Sequence, residues 1–118
     1  MIDHFNLPVS NLERSLDFYE HILVALGRRP VIRDGDAVGF GIDTWEFGIV
    51  LENRPFPEMH VGFRATSRES VDEFFRRATL YGAASNGEPG IRPTYDARYY
   101  AAYVRDPDGH NIEAVCRL

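Results

Sequence analysis

The chain has 118 residues, 44% of them hydrophobic, and its 13 Lys+Arg against 18 Asp+Glu leave a net charge of -5. That length fits one domain with a real core, and the acidic balance works against phosphate-backbone binding, so nucleic acid is set aside as a partner. No run approaches a membrane span, and Asp3 stands where a signal peptide would carry positive charge, which predicts a cytoplasmic protein without a membrane partner. The single cysteine, Cys116, rules out an internal disulfide and a Cys-cluster zinc site, and its place in an apolar alternation predicts ordinary packing.

Taken in chain order, the first strand runs HFNLPV from His4, with Phe5, Leu7 and Val9 on one face and His4 and Asn6 on the other. Ser10-x-x-Glu13 reads as a capping box that opens a helix ending near Gly27. VIR and AVGF then flank Asp34-Gly35, a hairpin dipeptide, and WEFGIVLE follows as a further strand with Glu46, Gly48, Val50 and Glu52 on one face by alternation. Asn53 to Pro57 is stiff and not strand-forming. At His60 the opening pattern recurs at an offset of 60 - 4 = 56 residues. Val61, Phe63 and Ala65 oppose His60, Gly62 and Arg64, and Thr66-x-x-Glu69 repeats the capping box before a helix ending near Gly82. A strand start around Ala83 to Ser85, the least defined of the three that follow this helix, and a Gly/Pro-rich loop from Asn86 to Pro93 lead to YYAAYVR, the DPDG turn and NIEAVC. In this last strand Ile112, Ala114 and Cys116 form the apolar face, with Asn111, Glu113 and Val115 opposite.

Each half therefore reads strand, helix, three strands. The expected fold is α+β: two tandem βαβββ modules forming a mixed sheet with helices packed on its apolar outer face, with module one at 1–52, a linker at 53–58 and module two at 59–118. His4 and His60 hold equivalent positions of the repeat, and Glu113 has the same orientation. Together they form a two-His-one-carboxylate set that suits Fe(II), Mn(II), Zn(II) or Ni(II) with coordination positions left open; the plain alternative is three residues on wet faces. Arg64, on the His60 face, either holds an anionic group or forms a surface salt bridge. The stretch GEPGIRPTYDARYY, with Arg92, Tyr95, Arg98, Tyr99 and Tyr100, reads as a lid or pocket rim. Tyr99, Ala101 and Tyr103 share a strand face, and for the tyrosines core or dimer packing is an equal alternative. His21 is expected to face solvent and His110 to start the last strand without being a ligand. Gly39-Phe40-Gly41 is too short for a nucleotide loop.

The stretches IDHFNLPVSNLERSLDFYEHIL, HVGF and AAYVRDPDGHNIEAV resemble the vicinal oxygen chelate superfamily, the group of glyoxalase I, bleomycin-resistance proteins and extradiol dioxygenases. The resemblance implies two βαβββ modules whose mixed sheet is cupped around a divalent metal, with ligands at His4, His60 and Glu113. It also implies a fourth ligand near the end of the first half, where Glu52 competes with Val50; Glu52 is the candidate base for isomerase chemistry. It turns Tyr103 toward the cup, so that Arg64, Tyr95, Tyr99 and Tyr103 become pocket residues. The function implied is that of a small metal-dependent enzyme, a lyase, isomerase or dioxygenase, acting on a small molecule with two adjacent oxygens. The alternative is a non-catalytic binding protein that sequesters an aromatic or cationic compound. A homodimer is expected, with each cup built either within one chain or across two.

Overall fold

Alternating apolar strands, each group followed or preceded by one capped helix, leave two sheets whose greasy faces need the same cover. The computed structural model describes residues 1–118 and contains β1 (Phe5–Val9), α1 (Leu12–Leu23), β2 (Arg29–Asp34), β3 (Ala37–Gly41) and β4 (Trp45–Leu51), then β5 (His60–Arg64), α2 (Arg68–Tyr81), β6 (Ser85–Ile91), β7 (Tyr100–Arg105) and β8 (Asn111–Cys116). The sheets are ordered β1-β4-β3-β2 and β5-β8-β7-β6, with β1 parallel to β4, β5 parallel to β8 and every other pair antiparallel. The architecture is the expected α+β pair of βαβββ modules, expressed as two four-stranded mixed sheets. No helix is long and apolar enough to cross a membrane.

Both helices start one residue later than the capping boxes predict. Asn11 caps α1 by accepting from the Arg14 N–H, and Ser67 caps α2 by accepting from the Ser70 N–H. Ser10 is unavailable as a cap because its hydroxyl and N–H both turn to Asp108. α2 ends as expected at Gly82, whose φ of 107° closes the helix with N–H bonds to Ala78 and Thr79 carbonyls. The predicted loop from Asn86 to Pro93 is instead largely β6, an edge strand whose register slips twice against β7. An edge tolerates Pro89 and such bulges because no further strand needs its outer hydrogen bonds.

One cluster of 20 buried residues runs through both modules, drawing Leu7, Val9, Phe18, Tyr19, Ile22 and Ile49 from the first and Val71, Phe74, Ile112 and Cys116 from the second. α1 and α2 lie against one another, with Tyr81 edge-on to Phe18 and bonded to Asp17. Polar contacts then pin the DPDG turn of module two to the β1–α1 corner of module one. The buried Asp106 accepts from Tyr19 Oη at 2.5 Å and from the backbone of Asp108 and His110, while Asp108 takes Ser10 and Arg14. His110 is fully buried, stacks on Phe56, accepts from the Met59 N–H at 2.9 Å through Nδ1 and donates to the Pro8 carbonyl at 2.9 Å through Nε2. Those partners fix its neutral tautomer, with the proton on Nε2.

Burial pushes the Tyr19 phenol well above its usual value, and the neighbouring Asp106 charge adds to the effect. A raised folded pKa means this group's stability is fully present below about pH 10, its unfolded value, and is lost as pH rises through the folded value. Tyr19→Phe leaves one Asp106 oxygen without its donor, so urea unfolding at neutral pH should show a loss of about 1–3 kcal/mol. Above about pH 10 the variant should lose stability less steeply than the parent. Equal slopes there would mean that the Tyr19–Asp106 bond does not bear the linkage.

Candidate metal centre

The parallel pairing of β5 with β8 sets Gly62 beside Glu113, one step along from His60 beside Asn111. Parallel register and the missing side chain at Gly62 together let His60 lean across, so that its Nε2 lies 2.9 Å from Glu113 Oε1. A Cβ at position 62 would come within 3.3 Å of that oxygen. Glu113 is 3% exposed, although nothing apolar in its strand calls for a charge there. Its other oxygen accepts from the Tyr99 hydroxyl, and Tyr103 stands opposite it on β7. Burial first, and then the Glu113 carboxylate, raise the Tyr99 phenol above its ordinary value, and the same two causes raise Tyr103. Both tyrosines are therefore neutral donors at physiological pH.

The rest of this face is aromatic and cationic. Tyr103 lies across Gly87, where a Cβ would meet its ring at 2.8 Å, and the Arg92 guanidinium sits over it at 5.3 Å. Arg117 sits over the Tyr99 ring at 5.0 Å, and the exposed Tyr95 tilts against Tyr99 at 5.0 Å. Arg64 is exposed beyond Gly62 on β5.

His4 is elsewhere. It precedes β1, bonds Asp3 through Nδ1 at 2.7 Å and tilts against Trp45 at 4.5 Å. Trp45 in turn covers Gly39 and Gly48, where added Cβ atoms would lie 2.7 and 3.2 Å from it, beside Asn6 in a hollow of about 180 Å³. Nowhere in one chain do three His, Cys, Asp or Glu side chains gather as a metal-holding group. A single chain thus presents two histidine-bearing faces: His4 with Trp45 on module one, and His60 with Glu113, Tyr99 and Tyr103 on module two. The nitrogen and carboxylate oxygen of His60 and Glu113, aimed at one another and held by a neutral phenol, fit two adjacent ligands of a borderline divalent cation.

One reading from alternation changes. Glu46 does not share the face of Gly48, because a bulge sets Gly41 against Trp45 and Phe40 against Phe47; Trp45 takes that face while Glu46 pairs with Arg28 at 2.9 Å. Glu52 follows the end of β4 and is held by the Arg54 N–H and guanidinium, the backbone bond foremost in keeping its pKa below the usual carboxylate value. His21, expected in solvent, is half-buried against Tyr81. The widest cleft, about 640 Å³, opens between the modules and is lined by Ile2, Phe5, Phe40, Phe47 and Phe63, with His60 and Arg64 on its wall. Glu113, Tyr99 and Tyr103 lie outside it, so the donor pair and not the cleft's size marks the chemistry. Sequence reading missed Arg117, although continuing the Glu113–Val115 alternation by one step reaches it, and missed Trp45, whose only signal is the glycine pair it covers.

The family model described as the Glyoxalase/Bleomycin resistance protein/Dioxygenase superfamily matches residues 1–114. A lactoylglutathione lyase of Neisseria meningitidis is 31% identical over 95% of this chain and 87% of its own, and the metallothiol transferase FosB of Shouchella clausii is 26% identical over 95% and 77%. Among solved structures, a glyoxalase/bleomycin resistance protein from Albidiferax ferrireducens superposes with a TM-score of 0.84 at 30% identity, covering 98% of this chain and 97% of its own.

Glu113→Gln removes the negative charge that helps hold the Tyr99 and Tyr103 phenols neutral while leaving an acceptor in place. An ultraviolet titration of phenolate should therefore show some tyrosine ionisation moving to lower pH in the variant. Superimposable titrations would rule out the Glu113 contact with both rings.

Proposed function

This chain belongs to the Glyoxalase/Bleomycin resistance protein/Dioxygenase superfamily, and from that premise we propose that it is a small metal-dependent enzyme acting on a small molecule with two adjacent oxygens. The observation that carries the proposal is the buried Glu113 carboxylate, bonded on one oxygen by His60 and on the other by Tyr99. A carboxylate at 3% exposure on a face otherwise open to solvent costs stability, and a cation is the partner that would best repay it.

His60 and Glu113 would supply two ligands and His4 of a second copy the third. Support for this division comes from the separation of His4 from the pair in one chain, and from Ile2 and Phe5, apolar side chains flanking His4 that stand exposed. On this reading the protein works as a homodimer, each cup made from module one of one chain and module two of the other. A divalent Zn, Ni, Fe or Mn ion bound there supplies charge stabilisation to the adjacent substrate oxygens. The chain's own residues do the rest. Tyr99 holds the far oxygen of Glu113, leaving the near one directed at the ligand position. Tyr103 and Tyr95 wall the cup with aromatic surface, and Trp45 does so from the module-one side. Glu52 serves as a proton acceptor only after leaving Arg54, since that contact weakens it as a base.

A second reading, metal-free capture of a flat compound, is favoured by the Trp45–His4 stack over Gly39 and Gly48. It predicts no thermal shift with any divalent metal.

Metal added to the purified protein should raise its melting temperature, and His60→Ala should abolish the rise. Tyr99→Phe should weaken metal binding by about 10- to 100-fold without removing it. Co-expressed His4→Ala and Glu113→Gln chains provide the sharper test. If each site takes His4 from one chain and Glu113 from the other, the mixed dimer regains one intact site although each variant alone binds nothing. No metal in the mixed dimer would overturn the shared cup.

A further inference from the structure

All thirteen basic residues are arginines, and the chain carries more than enough carboxylates to pair them. Seven do pair: Arg14, Arg28, Arg33, Arg54, Arg76, Arg77 and Arg105 each lie within 4 Å of an acidic side chain. The unpaired ones are not scattered evenly. Of the six left, only Arg29 belongs to module one, and Arg68, at the start of α2, holds the Leu118 backbone oxygen. Arg64 on β5, Arg92 and Arg98 in the β6–β7 loop and Arg117 just past β8 lie around the strands that carry Glu113 and its neighbours. No acid of this region forms an ion pair with any of these four. Glu113 is taken by His60 and Tyr99, the Asp96 carboxylate accepts from the Arg98 N–H, and Glu88 offers Arg92 its carbonyl and not its carboxylate.

Two of these arginines form a pair. Arg64 on β5 is in register with Val115 on β8, and Arg117 follows two residues later, just past the strand's end, so the alternation puts both residues on the Glu113 side. They line a common hollow of about 380 Å³ with Ala65, Thr66, Val115 and Leu118, whose backbone oxygen is held by Arg68 and not by either of them. Arg117 is braced by the Tyr99 ring beneath it, the same ring whose hydroxyl holds Glu113. Arg64 lies two residues past Gly62, the neighbour of Glu113, a distance of about 7 Å along the strand.

We infer that Arg64 and Arg117 form a subsite for an oxyanionic group of the substrate, a carboxylate, phosphate or phosphonate, about 7 Å from the oxygens that the Glu113 end receives. Two guanidiniums lining one hollow offer forked donors that match such oxygens, and the hollow is wide enough for the group with its water. This deepens the reading above and rests on it for the position of the substrate's other end. In a chain of net charge -5 the subsite also gives an anionic substrate one face to approach.

The probe is inorganic phosphate, titrated calorimetrically into the metal-free protein at low ionic strength. Binding is expected, weakened at least tenfold in Arg64→Gln/Arg117→Gln and several-fold in each single variant. Arg29→Gln, an unpaired arginine of module one, should leave it unchanged. The melting temperature of each variant, checked first, shows that it folds. Absence of phosphate binding to the parent, equal binding by the double variant, or equal loss in Arg29→Gln overturns the subsite. Metal titration of the double variant separates the two proposals. Metal binding that survives with phosphate binding unaffected by the double substitution removes the anion subsite alone. Phosphate binding lost in the double variant, in a protein that takes no metal, leaves the subsite standing and removes the metal reading.

Discussion

A single buried imidazole governs how the halves of this molecule meet. His110 is bonded on one nitrogen by the Met59 N–H at the start of β5 and on the other to the Pro8 carbonyl in β1, so each module supplies one of its partners. Next to it the Asp106 carboxylate collects Tyr19 from α1 and two N–H groups of its own turn. A buried polar cluster of this kind is directional where hydrophobic packing is not. The shared core would tolerate a slide between the sheets, but these bonds would not. The separation of the two histidine-bearing faces follows from that fixed relation.

The cup surfaces show a common device. On module one Trp45 lies over Gly39 and Gly48; on module two Tyr103 lies over Gly87, and Gly62 leaves space for Glu113. In each case a glycine lets a large or charged side chain lie flat against the sheet instead of standing away from it. This produces aromatic walls and a sunken carboxylate on strands only five to seven residues long. Energy spent burying Glu113 is offset by His60 and Tyr99, and it buries an anion beside an imidazole, whereas the Asp3 carboxylate beside His4 stays exposed.

Much of this was legible in the sequence. The repeat at 56 residues gave the order of elements, and alternation put Glu113 opposite Ile112 and Ala114, as found. Where reading failed, a tertiary partner had intervened. Ser10 looked like a helix cap but is claimed by Asp108, nearly the whole chain away. Glu46 lost its place in the alternation to a bulge that no residue of WEFGIVLE announces by itself. The stretch from Asn86 read as a loop because glycine and proline are strand-breaking in general, yet at a sheet edge they are tolerated. His110 does lead directly into the last strand, and its role in joining the modules is invisible in sequence because it lies wholly in what approaches from residues 8, 56 and 59.

The clamp around His110 also sets a timetable. Its bonds join Pro8, Ser10 and Tyr19 to residues 87 to 102 positions later. A chain emerging from the ribosome can pair β1 with β4 early, but it cannot cover the Pro8 carbonyl or satisfy Tyr19 until Asp106 and His110 are free. Contacts so distant in sequence are slow to close. The first module therefore waits with its corner unprotected until the DPDG turn and His110 have been made, and their arrival is the step that locks the two modules together.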